Sequence, residues 1–171
     1  GGIDVLVNNA GVGIFAPVPD ISFEDWRRVV DTNLNGVFYC CREAIPRLRN
    51  SGGGAIINIS SLAGKNPFAG GAAYNAAKFG LNGFSEALML DHRREGIRVT
   101  YVMPGSVDTE FSSRSERATW KIAPQDIADI VVAEPQAVHD SGTQALNEYV
   151  GFREQLPQHC RRFRLFGIES N

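Results

Sequence analysis

Three short apolar strands separated by two long amphipathic helices predict an α/β fold built on a parallel sheet with helices on both faces. The first of them is an Ile/Val/Leu run without polar alternation, the pattern of a strand covered on both sides. The stretches between them are long enough for the crossover helices that parallel strands require.

The first strand, residues 3–7, is Ile-Asp-Val-Leu-Val, reached after only two glycines and closed by Asn8-Asn9-Ala10-Gly11. From Ser22 the period changes. Phe23, Trp26, Val29, Val30, Leu34, Val37, Phe38, Ile45 and Leu48 recur at steps of three and four, predicting one long helix over 22–49. Ser22 and Asp25 form a capping-box-like start, Asn50-Ser51-Gly52-Gly53-Gly54 stops the helix, and Pro46 should kink its last turns. A second strand follows at 55–59, then a Gly-rich loop over 60–71 and a second helix over 73–94 with Phe79, Phe84, Leu88 and Leu90 on apolar faces. Residues 97–102 read as the third strand, closed by Met103-Pro104-Gly105. Beyond it, 106–121 reads as a polar loop and 124–133 as a short helix cut off by Pro135. Residues 134–171 keep neither a strand nor a helix period, so the expected division is a folded region over 1–133 and an atypical tail over 134–171. Trp26 and most of the phenylalanines are expected in the core.

Composition excludes several classes of function. With 171 residues and 43% hydrophobic content the chain fits a single domain. Seventeen Lys+Arg against 19 Asp+Glu leave a net charge of −2, which gives no basic field for nucleic acid or anionic lipid. No apolar run approaches the roughly 18 residues of a spanning helix and no signal core opens the sequence, so membrane attachment and export are not expected. Cys40, Cys41 and Cys160 supply neither a disulfide framework nor zinc spacing, and the histidines lack metal spacing; no metal is expected, and the cytoplasm is the default compartment.

Chemistry gathers at the strand ends. Tyr74-Asn75-Ala76-Ala77-Lys78 puts a phenol and an ammonium at i and i+4 near a helix start, on one face. A nearby ammonium stabilises phenolate, so Lys78 should lower the Tyr74 pKa toward a value useful for acid/base work. Alone the pair is a weak pattern. Context strengthens it: Ser61 lies 13 positions earlier, just past a buried strand, where open α/β sheets place their ligand crevices. Ser60 is a rival for its role. Asn8–Gly11 and the run Pro104-Gly105-Ser106-Val107-Asp108-Thr109 close the two neighbouring strands, and Asn33 interrupts the apolar face of the first helix, where it needs a buried partner or a function.

These elements, in this order, resemble the short-chain dehydrogenase/reductase family over residues 1–133. The resemblance implies a Rossmann-like doubly wound parallel sheet and an NAD(P)-dependent oxidoreductase that moves hydride between the nicotinamide and a small-molecule carbonyl or secondary alcohol. Asn8 to Gly11 look like the family's NNAG element, and Asn33, Ser61, Tyr74 and Lys78 like its catalytic tetrad. On this basis Ser61 orients the carbonyl, Tyr74 is the acid/base, Lys78 lowers its pKa and binds the nicotinamide ribose, and Asn33 holds a water of the proton relay. Asn9, Ala10, Gly11, Tyr74, Lys78, Pro104, Gly105, Val107 and Thr109 are the implied contacts of NAD or NADP. A homodimer or homotetramer through the two long helices is implied as well.

One half of the family pattern has no counterpart in these residues, namely the first βαβαβ half with its glycine-rich phosphate loop. Gly11-Val12-Gly13-Ile14-Phe15-Ala16 mimics a dinucleotide fingerprint, but Pro17 and Pro19 follow at once, where a helix N-terminus would be needed. A truncated or frameshifted reading of a longer gene is one expectation from this pattern. A non-catalytic remnant of the family, acting at most as a dimerising fold, is the alternative function. Phe68 and Phe111 are the loop aromatics best placed to meet substrate.

Overall fold

The computed structural model describes residues 2–108 and 121–137; Thr109, Phe111 and residues 138–171 lie outside them. β1 (Val5–Asn8), β2 (Gly54–Ile59) and β3 (Ile97–Val102) form a parallel sheet in the order β1-β2-β3, with Leu6, Ile56 and Val99 in line across it. The strands point the same way because each crossover contains a helix: α2 (Gly36–Asn50) before β2, and α3 (Ala72–His92) before β3.

Each face of the sheet is covered. Leu6, Ile56, Ile97 and Val99 pack beneath α2 and α3 against Val37, Cys41, Ile45, Leu48, Leu81 and Leu88. On the opposite face Ile57 and Val102 meet Val131, with Ile127 and Ile130 of α4 (Pro124–Ala137) beside them. The unbroken apolar centre of β2, Ala55 to Ile57, is therefore explained by burial on both sides.

The first helix departs from expectation in its middle. α1 (Phe23–Val30) starts as predicted, with the Ser22 hydroxyl accepting from the Asp25 N–H at 3.0 Å; the same hydroxyl donates to the Asp25 carboxylate, so the reciprocal bond of a full capping box is not made. Asp31–Asn35 then forms a π-helical turn before α2 resumes. The turn is a π-bulge inside an otherwise continuous helix, a distortion that concentrates at functional sites, and it carries Asn33. Pro46 sits inside α2, which nevertheless runs on to Asn50.

Two further expectations are corrected. α4 continues through Pro135 to Ala137, past the expected stop at 133: a proline removes one N–H bond, and this loss falls in the final turn, where little helix remains to disrupt. The expected burial of the aromatics fails too. Phe23 is 87% exposed, and Trp26, Phe38, Phe79 and Leu90 are also exposed, so the helical period marks an apolar face that this chain alone leaves uncovered. No described helix is long and apolar enough to cross a membrane.

Candidate active site

The three strands end together. Asn8 pairs in register with Asn58, and Ile59 with Val102, so the segments that follow β1, β2 and β3 leave the sheet along one edge. At the end of β2 the chain separates two adjacent serines. Ser60 is buried and its hydroxyl donates to the Asn82 Oδ1, while Ser61 caps the 3-10 turn Leu62–Gly64 by accepting from the Ala63 N–H at 3.1 Å. It is Ser61 that is hydrogen-bonded to Tyr74.

Tyr74 lies in the first turn of α3, 8% exposed, within an apolar pocket made with Val29, Ala63, Ala73 and Ala77. One turn on, Lys78 is 4% exposed, and its Nζ donates to the Ile59 carbonyl at 2.8 Å. The same Nζ stands 5.7 Å from the centroid of the Tyr74 ring. The i, i+4 spacing thus brings phenol and ammonium together.

Their electrostatics differ from the sequence expectation. Burial raises the Tyr74 pKa above its ordinary value, and the hydrogen bond with Ser61 lowers it by less. The Lys78 ammonium is committed to the Ile59 carbonyl and is itself desolvated, which brings its pKa down to about 8. Burial outweighs the charge because a phenol in an apolar pocket loses the hydration its anion requires. Tyr74 is consequently a protonated acid throughout the neutral range.

Asn33 is fully buried in the π-helical turn, and its Nδ2 donates at 2.8 Å to the Val29 carbonyl and at 2.8 Å to the Val12 carbonyl. The side chain therefore ties the loop after β1 to the first helix. Its Oδ1 is the buried side-chain oxygen without a hydrogen-bond partner among the described residues. Gly11 keeps space beside that oxygen, because a Cβ there would stand 2.9 Å from it. Asn9, Ala10 and Gly11 are exposed at the end of β1. After β3, the Pro104 carbonyl accepts from the Leu62 N–H at 2.9 Å, which straps Pro104 and Gly105 over the turn that Ser61 begins. Val107 is pinned next to Ile122 by a parallel bridge.

Several positioning residues escaped the reading of the sequence. Asn58 accepts from Asn8 at 2.8 Å and donates to Ser85 at 2.8 Å, and the Ser85 hydroxyl passes the bond to the Leu81 carbonyl at 2.7 Å. Asn8 also reaches the Cys41 thiol, whose pKa is raised to about 12 by burial, so this cysteine is an inert partner. Asn75 holds the Ala63 carbonyl at 2.6 Å, and Asn82 holds the Gly64 carbonyl at 3.0 Å. Their signal was available: Asn75, Lys78, Asn82 and Ser85 recur at steps of three and four along α3, a polar stripe on a buried helix face.

The arrangement accommodates one end of a dinucleotide. Lys78 retains two N–H groups beyond the one given to Ile59, and Asn9 to Gly11 are exposed at the strand end. These features fit a ribose and a nicotinamide amide. A pyrophosphate meets no such fit among the described residues, since Gly11 and Gly13 are followed by Pro17 and Pro19 and α1 begins only at Phe23.

Comparison with known proteins finds relatives among dehydrogenases and short-chain oxidoreductases. The 3beta-hydroxysteroid dehydrogenase of Mediterraneibacter gnavus is 42% identical over 116 residues, 67% of this chain and 42% of that protein. A metagenomic short-chain oxidoreductase, solved in complex with NADP, superposes with a TM-score of 0.66 at 40% identity over 78% of this chain and 55% of the other. A 4-hydroxyisoleucine dehydrogenase complexed with NADH and succinate gives 0.72 at 30% identity over 81% of this chain and 64% of the other. The chain spans between 42% and 61% of the length of the curated relatives. The family model described as short chain dehydrogenase matches residues 1–120, which take in all three strands, Asn33, Ser61, Tyr74 and Lys78. The chain belongs to the short chain dehydrogenase family.

Proposed function

We propose that this chain carries the catalytic portion of an NAD(P)-dependent oxidoreductase acting on a small-molecule carbonyl or secondary alcohol. The observation that carries the proposal is the meeting of Ser61, Tyr74 and Lys78 where the parallel strands end. When bound, the nicotinamide supplies the hydride in reduction and accepts it in oxidation. In reduction the Ser61 hydroxyl donates a hydrogen bond to the carbonyl oxygen and orients it. Tyr74 gives its Oη proton to that oxygen as negative charge develops there. The raised pKa suits this role, since the phenol stays protonated at neutral pH. Alcohol oxidation needs the phenolate, so its rate should climb with pH well beyond neutrality. Lys78 binds the nicotinamide ribose through its remaining N–H groups, and Asn33 holds a water through its unpartnered Oδ1. The cofactor is NAD or NADP.

The exposed apolar face of α1, α2 and α3 supports assembly as a homodimer or homotetramer through these helices; Phe38 there lies edge-on to Tyr39 and Phe84 at 5.5 and 6.3 Å. Cys40 and Cys41, both free thiols, favour a reducing compartment such as the cytoplasm.

Titration of the purified chain with NADH and with NADPH, followed by nucleotide fluorescence, tests the proposal. Saturable binding that is lost on replacing Lys78 supports it. No binding at millimolar nucleotide by a folded chain would overturn it.

A further inference from the structure

We propose that Phe15 and Phe68 form the wall that receives the apolar body of the substrate. The substrate class is then a ketone or secondary alcohol with an uncharged alicyclic or aromatic group next to the reacting carbon. The inference rests on the oxidoreductase reading of Tyr74 and extends it to specificity.

Phe15, in the loop after β1, lies edge-on to Tyr74 with centroids 5.7 Å apart, and edge-on to Phe68 at 5.4 Å. Two loops from different strands therefore place aromatic rings beside the acid of the reaction. Both rings remain substantially exposed, at 46% and 44%, although Phe15 meets the buried Tyr74 ring. Exposed aromatic surface next to a reactive group marks a place where another apolar body is received.

The wall is seated rather than draped. The Gly71 N–H bonds to the Phe68 carbonyl at 3.1 Å, closing a turn at the start of α3. Asn75 accepts from the Phe68 N–H at 3.4 Å while its amide holds the Ala63 carbonyl, so the residue after Tyr74 also fixes the Phe68 backbone. A Cβ at Gly71 would stand 2.4 Å from the Asn75 Oδ1 and 2.7 Å from Cε2 and Cζ of the Phe68 ring, so a side chain there would displace the ring. Gly70 adopts φ +77°, and a Cβ there would stand 3.8 Å from the Ala16 backbone, so the two loops run side by side. Preorganised contacts of this kind reduce the entropy cost of binding.

Phe15, Ala16, Phe68, Gly70 and Gly71 carry no charge. A carboxylate beside the reacting carbonyl would lose water here without gaining a cation from these residues, whereas a ring or hydrocarbon group gains contact with two phenyl faces. The wall thus favours cyclohexanone-like substrates over 2-oxo acids.

Binding of cyclohexanone and of pyruvate to the full chain, by saturation-transfer NMR with and without NADPH, tests this. Cyclohexanone should saturate and pyruvate should not. Phe15→Ala and Phe68→Ala, each shown to be folded by far-UV circular dichroism, should each weaken cyclohexanone about tenfold, and Phe68→Leu should restore most of the loss. Affinity unchanged from the parent chain in both alanine variants overturns the wall. So does pyruvate binding as tightly as cyclohexanone, or the absence of cyclohexanone saturation in a folded chain under both conditions. Turnover is not the readout, so failure of hydride transfer would count against the oxidoreductase reading alone.

Discussion

The two ends of the three-stranded sheet use polar and small residues for opposite purposes. At the amino end, Gly52, Gly53 and Gly54 turn the chain from α2 into β2, and Gly53 passes so close to Gly96 that a Cβ would stand 2.4 Å from its carbonyl oxygen. This end is held together by backbone proximity. At the carboxyl end, Asn33, Ser60, Tyr74 and Lys78 are buried although each carries a polar group that is costly to desolvate. Folding alone does not need an ammonium there. The contrast separates what closes the fold from what loads the site.

The sharpest way to break the comparison is at the carboxyl end. Tyr74→Phe keeps the ring and its contact with Phe15 while deleting the proton donor. Turnover in the full-length protein should fall about 10²–10⁴-fold, the usual range for loss of a general acid, with nucleotide affinity nearly unchanged. Steady-state kinetics alongside a fluorescence titration check both halves; retained turnover removes Tyr74 from the acid role.

Lys78 sharpens the same contrast through pH. Its pKa falls from 10.5 when unfolded to about 8 when folded. Between these values the unfolded chain binds more protons, so stability rises with pH through that window. Below about pH 8 the folded protein carries the full cost of a buried ammonium, about 3 kcal/mol for a shift of this size. Lys78→Met lacks this term. Urea melts of both proteins from pH 7 to 10.5 should therefore show the stability advantage of Lys78→Met shrinking as pH rises; Cys41, raised to about 12, titrates in both and cancels.

The amino end predicts the reverse pattern, with stability lost and chemistry intact. Gly53→Ala forces a Cβ against the Gly96 carbonyl at φ +121° and should cost about 2–3 kcal/mol. Gly52→Ala, at φ +88° with open space around it, should cost only about 1 kcal/mol of backbone strain. Nucleotide affinity per folded molecule should be unchanged in both. A Gly53→Ala protein as stable as Gly52→Ala would show that the turn can open.

Legibility followed the same division. Strands and crossover helices were readable because burial on two faces and helical periodicity write themselves into apolar spacing, and 97–102 coincides with β3 residue for residue. Ser61, Tyr74 and Lys78 were readable as a pattern of strand ends and helix starts. Their pKa directions were not, since these depend on Ile59 taking the Lys78 proton donor and on how deeply the phenol is buried. The π-helical turn at Asp31–Asn35 left no period of its own, because one inserted residue per turn only shifts the phase of the apolar face. Aromatic spacing misled at Phe23 and Trp26, since a period reports that a face is apolar and not which molecule covers it.

The smallest expected effect lies on the surface of the amino end. Arg49 closes α2 onto the turn before β3 through a bidentate contact with Glu95, at 2.6 Å from Nε and 2.9 Å from Nη2, and His92 joins at 3.0 Å. The geometry is close to ideal, and the pairing lowers the Glu95 pKa while raising that of Arg49. Both side chains remain in water, however, where Coulomb attraction is screened and ordering two long side chains offsets much of it. Arg49→Ala should accordingly move the urea midpoint slightly at low salt and not measurably in 1 M NaCl. A large, salt-insensitive loss would mean that this end of the sheet depends on charge after all, and the division between the two ends would have to be redrawn at Arg49.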